Sequence, residues 1–129
     1  CCIPMKNGRE GLAKILSTVL ANKSSYPAYF AAIKRMRDGV GMLSFPVDGY
    51  SLLLDFPIKD GLWAFLDKLD QIVVGYGGRV YLAKDGRLSA SAFADMYPLR
   101  NEWIRVREAV DPNNRFASDM GRRLNLSNT

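Results

Sequence analysis

Gly77-Gly78-Arg79-Val80-Tyr81-Leu82-Ala83-Lys84-Asp85-Gly86 reads as a short strand. It enters through a glycine pair and leaves through an Asp-Gly turn, and Val80 and Leu82 give it the apolar alternation of a packed strand. A glycine pair releases the backbone from ordinary φ limits and suits the end of a preceding helix. Read as a strand, the stretch completes the order strand, helix, strands, helix, strand. Tyr81 and Lys84 are the groups at its end able to do chemistry. The same pattern also fits a core strand whose lysine lays its stem on apolar surface and puts its amine in water. Residue pattern alone leaves both readings open.

Upstream, residues 1–5 read as a strand and Asn7-Gly8 leads into a helix over 9–22, with Leu12, Ile15, Leu16, Val19 and Leu20 on one stripe. Residues 23–27 form a loop. Residues 28–37 alternate as a strand, with Tyr29, Ala31 and Ile33 on one side and Phe30, Ala32 and Lys34 on the other. After a turn at 38–41, a third strand is predicted over 42–45. Asp48-Gly49 is a hairpin signal, and a fourth strand follows over 50–56. Its faces are Tyr50, Leu52, Leu54 and Phe56 against Ser51, Leu53 and Asp55. Asp60 is the expected N-cap of a second helix reaching Gly75, whose stripe is Leu62, Phe65, Leu66, Leu69, Ile72 and Val73. Two striped helices need one shared sheet face. This predicts an α+β, ferredoxin-like (split βαβ) antiparallel sheet with two helices on one face and an extra hairpin strand.

Downstream of Gly86 the texture changes. Ser89 caps a short helix to Tyr97, Pro98 opens another that ends at Asp111-Pro112, and Ser118 caps a last one. Residues 1–86 are thus expected to be one α+β domain. Residues 87–129 are a helical tail whose anchors (Phe93, Met96, Trp103, Ile104, Phe116, Leu124) pack on that domain or on a missing one.

The bulk numbers narrow the chemistry. The 129 residues make one domain's worth of chain, with a formal charge of +5 and no histidine. Without imidazole there is no His-dependent triad, His-ligated zinc or histidine acid–base catalysis. Cys1 and Cys2 are adjacent, so no disulfide framework and no metal site is expected, and reduced thiols fit a cytoplasmic compartment. No apolar run has the roughly 20 residues of a membrane span. The chain begins inside an apparent strand without a methionine or leader, and is expected to be a piece of something longer.

Three blocks carry a resemblance: Leu43-Ser44-Phe45-Pro46, Leu54-Asp55-Phe56-Pro57-Ile58-Lys59-Asp60-Gly61 and Gly78-Arg79-Val80-Tyr81-Leu82-Ala83-Lys84-Asp85. Met96-Tyr97-Pro98, Glu102-Trp103 and the ending from Val110-Asp111-Pro112 to Arg123-Leu124 continue it in the same order. Together they resemble the C-terminal half of FAD-linked oxidases of the vanillyl-alcohol-oxidase type. The resemblance implies a two-domain flavoprotein whose N-terminal FAD-binding domain lies outside this chain, and in which this chain supplies the substrate domain and tail. It implies oxidation of a sugar or polyol hydroxyl, in some members lipid-linked, by hydride transfer to flavin. Lys84 falls on a lysine beside flavin and substrate, a cofactor-binding and catalytic position where a cation favours developing negative charge. Tyr81 and Lys34 fall on pocket positions. Ser51 and Leu53 stand where a member acting on a lipid-linked sugar has asparagine and cysteine, so these too are read as substrate-binding, with altered side chains.

Bland readings run alongside. Lys34 also fits a solvated strand end, Arg122-Arg123 a pair facing solvent at a helix end, and Trp63 and Trp103 core or interdomain packing. Cys1 and Cys2 fit inert strand residues. From a different class, the fold and charge also suit a free-standing binding or oligomerisation module. Nucleic acid would be its ligand, with Tyr29, Phe30, Tyr50 and Phe56 as stacking candidates; the dispersed charge argues against it.

Overall fold

The computed structural model describes residues 1–22 and 31–127. Their order is β1 (Cys2–Pro4), α1 (Met5–Ala21), β2 (Ala31–Met36), β3 (Gly49–Leu54), α2 (Leu62–Gly75), a 3-10 turn (Leu82–Lys84), α3 (Ala90–Met96), α4 (Arg100–Val110) and α5 (Asp119–Arg123). The strands form an antiparallel sheet in the order β1-β3-β2. Cys2 stands opposite Ser51, and Ile33 and Lys34 stand opposite Leu52 and Ser51. Beyond β1, Arg79 makes a single antiparallel bridge to Cys2, with both N–H groups donating to the opposite carbonyl at 2.8 Å. Counting Arg79 as a fourth strand cut to one rung, the order across the sheet is fourth, first, third, second. That is the split βαβ arrangement of an α+β fold.

Residues 77–84 therefore differ from the strand expected of them. Gly77 takes a φ of 69°, ending α2, and Gly78 lies so close to β1 that an added Cβ would sit 2.6 Å from the Cys2 carbonyl oxygen. Pairing stops after Arg79: the antiparallel register puts Val80 opposite Cys1, whose amine and carbonyl both bond Leu52 of β3 at 2.9 Å instead. The Val80 carbonyl instead accepts from the Tyr97 hydroxyl at 2.7 Å, and the chain winds into the 3-10 turn.

The strand expected over 42–45 does not form either. Ser44 N–H donates to the Gly41 carbonyl, Gly41 N–H to Ser44 Oγ, and Arg79 Nη1 to the Ser44 carbonyl at 2.7 Å. Local side-chain and turn bonds have taken the backbone groups that a ladder would have used. The first helix starts earlier than expected. Gly8 is a packing position, not a turn: a Cβ there would lie 2.9 Å from the Tyr50 ring. Asn7 Nδ2 then stitches α1 to α2 by donating to the Tyr76 carbonyl at 3.0 Å. Gly61, in the left-handed region, rather than Asp60, precedes α2.

The stripes bury as expected. Leu12, Ile15 and Val19 of α1 and Leu62, Phe65, Leu69 and Val73 of α2 close over Ile3 and Leu52. Each such side chain contributes about 1.5–3 kcal/mol of apolar burial. Leu20, expected on the buried stripe of α1, is exposed instead, and Ile33 is exposed on β2, the outer strand. The tail joins the same core through Leu88, Phe93, Met96, Tyr97, Leu124 and Leu126. Ser89 and Ser118 cap α3 and α5 through their hydroxyls. Trp103 and Ile104 are partly buried, but Phe116 is 84% exposed and Trp63 is 56% exposed, so neither is a core anchor.

Candidate active-site cleft

A cleft of about 650 Å³ opens between β3, α2 and residues 80–87. Period-two alternation sends Leu52 inward and Ser51 and Leu53 to the opposite face; accordingly Leu52 is buried while Leu53 is 44% exposed. Leu54, Phe56, Leu66, Val73 and Val80 make apolar walls, and Ser51 adds a hydroxyl. Tyr81 and Lys84 stand on the far side, brought there by the 3-10 turn in which Lys84 N–H donates to the Tyr81 carbonyl at 3.0 Å. The Tyr81 ring packs on Phe45 with centroids 4.8 Å apart. Among the described residues no hydrogen-bond or ion-pair partner engages the Lys84 ammonium.

Four of the five residues singled out from sequence thus border one cleft: Ser51, Leu53, Tyr81 and Lys84. Lys34 does not line it. It is exposed on β2, directly opposite Ser51 on the same sheet face, where cross-strand Cβ atoms lie about 4.5–5.5 Å apart.

The segment carrying Lys84 is held by charges that the sequence pattern does not single out. Asp85, with a side chain 2% exposed, accepts at Oδ1 from the N–H groups of Arg87 and Leu88 (3.0 and 2.8 Å) and at Oδ2 from Arg123 (2.8 Å). Burial works against its ionised form, yet those donors and the Arg123 charge prevail and lower its pKa. Arg123 also donates to the Leu88 carbonyl. Arg87 forks onto Asp70 (2.7 and 2.9 Å) and reaches Asp67 at 2.7 Å. Burial pushes the Asp70 carboxyl above its usual range, with Arg87 pulling the other way. Tyr97, pushed up to about 12 chiefly by burial, stays a donor to Val80.

Two of these groups had a readable signal. Asp70 is a carboxylate four residues after Leu66 and three before Val73, on the buried stripe, and a charge there needs a partner. Asp85-Gly86 is an Asx-type turn whose carboxylate caps the following N–H groups. Arg123 had none, because its partner lies 38 residues away. Its pairing corrects the solvent-facing reading of Arg122-Arg123: Arg122 bonds Asp119 on the surface, whereas Arg123 turns inward. Trp63 borders the cleft rather than the core.

Elsewhere the basic surplus is partly spoken for. Arg35 pairs with Asp48 and Arg107 with Asp111. Tyr29 and Phe30 lie outside the described residues; Tyr50 and Phe56 face the helices, Phe56 edge-on to Phe65 at 6.1 Å. Cys2 is buried, its thiol donating to the Val47 carbonyl at 3.6 Å and pushed up in pKa by burial. Among the described residues no cluster of three or more His, Cys, Asp or Glu is placed to hold a metal, and no helix is long and apolar enough to cross a membrane.

Residues 2–124 match the family model described as D-arabinono-1,4-lactone oxidase. The chain is 55% identical over 84 residues to the decaprenylphosphoryl-beta-D-ribose oxidase of Mycolicibacterium smegmatis, covering 65% of this chain and 18% of that protein. It is 47% identical over 87 residues to an uncharacterized protein in the mprA 5′ region of Streptomyces coelicolor, covering 67% of this chain and 24% of that one. The matched stretch therefore spans less than a quarter of either relative.

Proposed function

The chain belongs to the D-arabinono-1,4-lactone oxidase family, and from that premise we propose that it is the substrate-domain and tail portion of a larger FAD-dependent oxidoreductase acting on a sugar or polyol hydroxyl. In this reading residues 1–86 form one wall of the active site and residues 87–129 return toward an FAD-binding domain supplied by another part of the protein. A lipid-linked sugar is the substrate class suggested by the name of the mycobacterial relative.

The observation that carries the reading is the pairing of an apolar cleft with a lysine ammonium that has no partner among the described residues. These residues fit a flavin. Leu53 and the neighbouring apolar side chains suit a flat aromatic ring, and Lys84 suits its electron-rich edge. Bound there, FAD would supply the hydride acceptor. The chain's own residues would do the rest. Lys84 holds a fixed positive charge where negative charge grows during oxidation, without waiting for water to reorganise. Ser51 offers a hydroxyl to orient the substrate, Tyr81 a ring and a phenol, and Leu53 keeps water from the reacting carbon. Lys34, across from Ser51, would meet the substrate's outer, anionic end if it has one.

Replacing Lys84 with methionine in the full-length, flavin-loaded enzyme tests this. Loss of one preorganised charge should lower turnover by about 10²–10³-fold, with an unchanged thermal melt. Turnover within twofold of the parent would remove Lys84 from the chemistry and with it the reading of the cleft.

A further inference from the structure

The Lys84 segment has little backbone pairing of its own. After the Arg79 bridge, residues 80–88 make only the two turn bonds from Lys84 and Asp85 back to Tyr81 and Leu82 before α3 begins. Side-chain ties fix the segment in place, to α2 through Arg87 and to the tail through Tyr97 and Arg123. Arg123, at the end of α5, uses one amino group on Asp85 Oδ2 and the other on the Leu88 carbonyl, spanning the residue next to Lys84 and the last residue before the α3 cap. The Asp85 side chain is almost wholly buried and Leu88 is fully buried, so this fork is shielded from competing water. Ser118 caps α5 through Gly121 N–H, and Leu124 sits in the core immediately after Arg123, so the guanidinium is delivered from two anchored ends.

We propose that Arg123 is a positioning residue for Lys84: its fork onto Asp85 and Leu88 holds the turn so that the ammonium stays on the cleft rim. The proposal rests on the flavin-site reading only for what Lys84 does once held. A guanidinium suits the task because its planar fork makes two bonds in one fixed geometry, which an ammonium cannot reproduce. Arg87 secures the other side of the turn to α2 through Asp70 but makes no bond to Asp85 other than through its own N–H. Tyr97 ties the tail to Val80 at the start of the segment, and Arg123 ties it to Asp85 and Leu88 at the Lys84 end.

The test uses the full-length flavin-loaded protein and compares Arg123→Gln, Arg123→Lys and Lys84→Met with the parent. The readouts are amide hydrogen exchange over residues 80–88 and the midpoint potential of the flavin. Arg123→Gln should speed exchange in that segment by about tenfold or more while α1 and α2 are unchanged. It should shift the potential in the same direction as Lys84→Met, by a smaller amount, and add nothing further in the Lys84→Met background. Arg123→Lys should recover part of both effects. If Arg123→Gln does not fold, Asp85→Asn tests the same fork from the other side. Unchanged exchange, or a potential that moves with Lys84→Met but not with Arg123→Gln, overturns the proposal. Faster exchange with a potential that neither variant moves would leave the clasp standing and sink the flavin reading instead.

Discussion

β3 and residues 79–88 approach the same cleft by different means. β3 is paired along its whole length with β2 and over half of it with β1, so its side chains are aimed by backbone register. Ser51 and Leu53 border the cleft from one face of β3 and Leu52 and Leu54 from the other, and a slip of one residue would exchange the two sets. Residues 79–88 have one bridge, one 3-10 turn and then a set of side-chain ties: Tyr97 to Val80, Arg123 to Asp85 and Leu88, Arg87 to Asp70. A ladder fixes a surface; ties of this kind fix a single turn and can be loosened one at a time. The groups proposed to face substrate, Ser51 and Leu53, stand on the first, and Lys84, proposed to face the cofactor, stands on the second.

The largest effect should come from breaking the ladder side of the comparison. Leu52→Ala removes a side chain buried between both helices and should cost about 2–5 kcal/mol, read by urea denaturation of the intact protein. Because β3 is held on both sides, the loss should appear as one cooperative transition. Tyr97→Phe attacks the tied side. It strands the Val80 carbonyl and should cost about 1–3 kcal/mol, with faster amide exchange confined to the segment around Val80. Equal exchange rates across the sheet would show that the two regions are held alike after all.

A smaller effect is expected from pH. The folded state depresses the Asp85 carboxyl below the ordinary value of 3.8, so in that range the unfolded chain binds more protons than the folded one. The Asp85 contribution is thus complete above the ordinary carboxylate range and is lost as pH falls through the lower folded-state value. The stability difference between parent and Asp85→Asn should be constant from neutral pH down to about that range and shrink below it. A difference that already declines near neutral pH would assign the effect to another group.

The same contrast decides how much could be read from the residues alone. The helix stripes, the faces of β3, the serine caps and the α+β class are periodic or local properties, and they stand as read. The strand expected over 77–84 was inferred from Val80 and Leu82, whose alternation is real. What ended it is Cys1, whose backbone groups go to Leu52 of β3, and a tyrosine hydroxyl from the tail. The expected hairpin strand over 42–45 failed to turn bonds that Ser44 and Gly41 make with each other. At the cleft, pattern marks Tyr81 and Lys84 as groups able to do chemistry but leaves a solvated lysine equally open, and only the family resemblance sets them beside a flavin. Arg123 was read as solvated because nothing local to it reveals Asp85.

In the proposed function, the tied side of the cleft presents a positive charge to a flavin. The most direct measurement is the midpoint potential of bound FAD in the full-length protein and in its Lys84→Met variant. Loss of the cation should make the potential more negative, because the reduced, negatively charged form loses its stabilising neighbour. An identical potential in the two proteins would contradict the claim and leave Lys84 a solvated residue at the end of a turn.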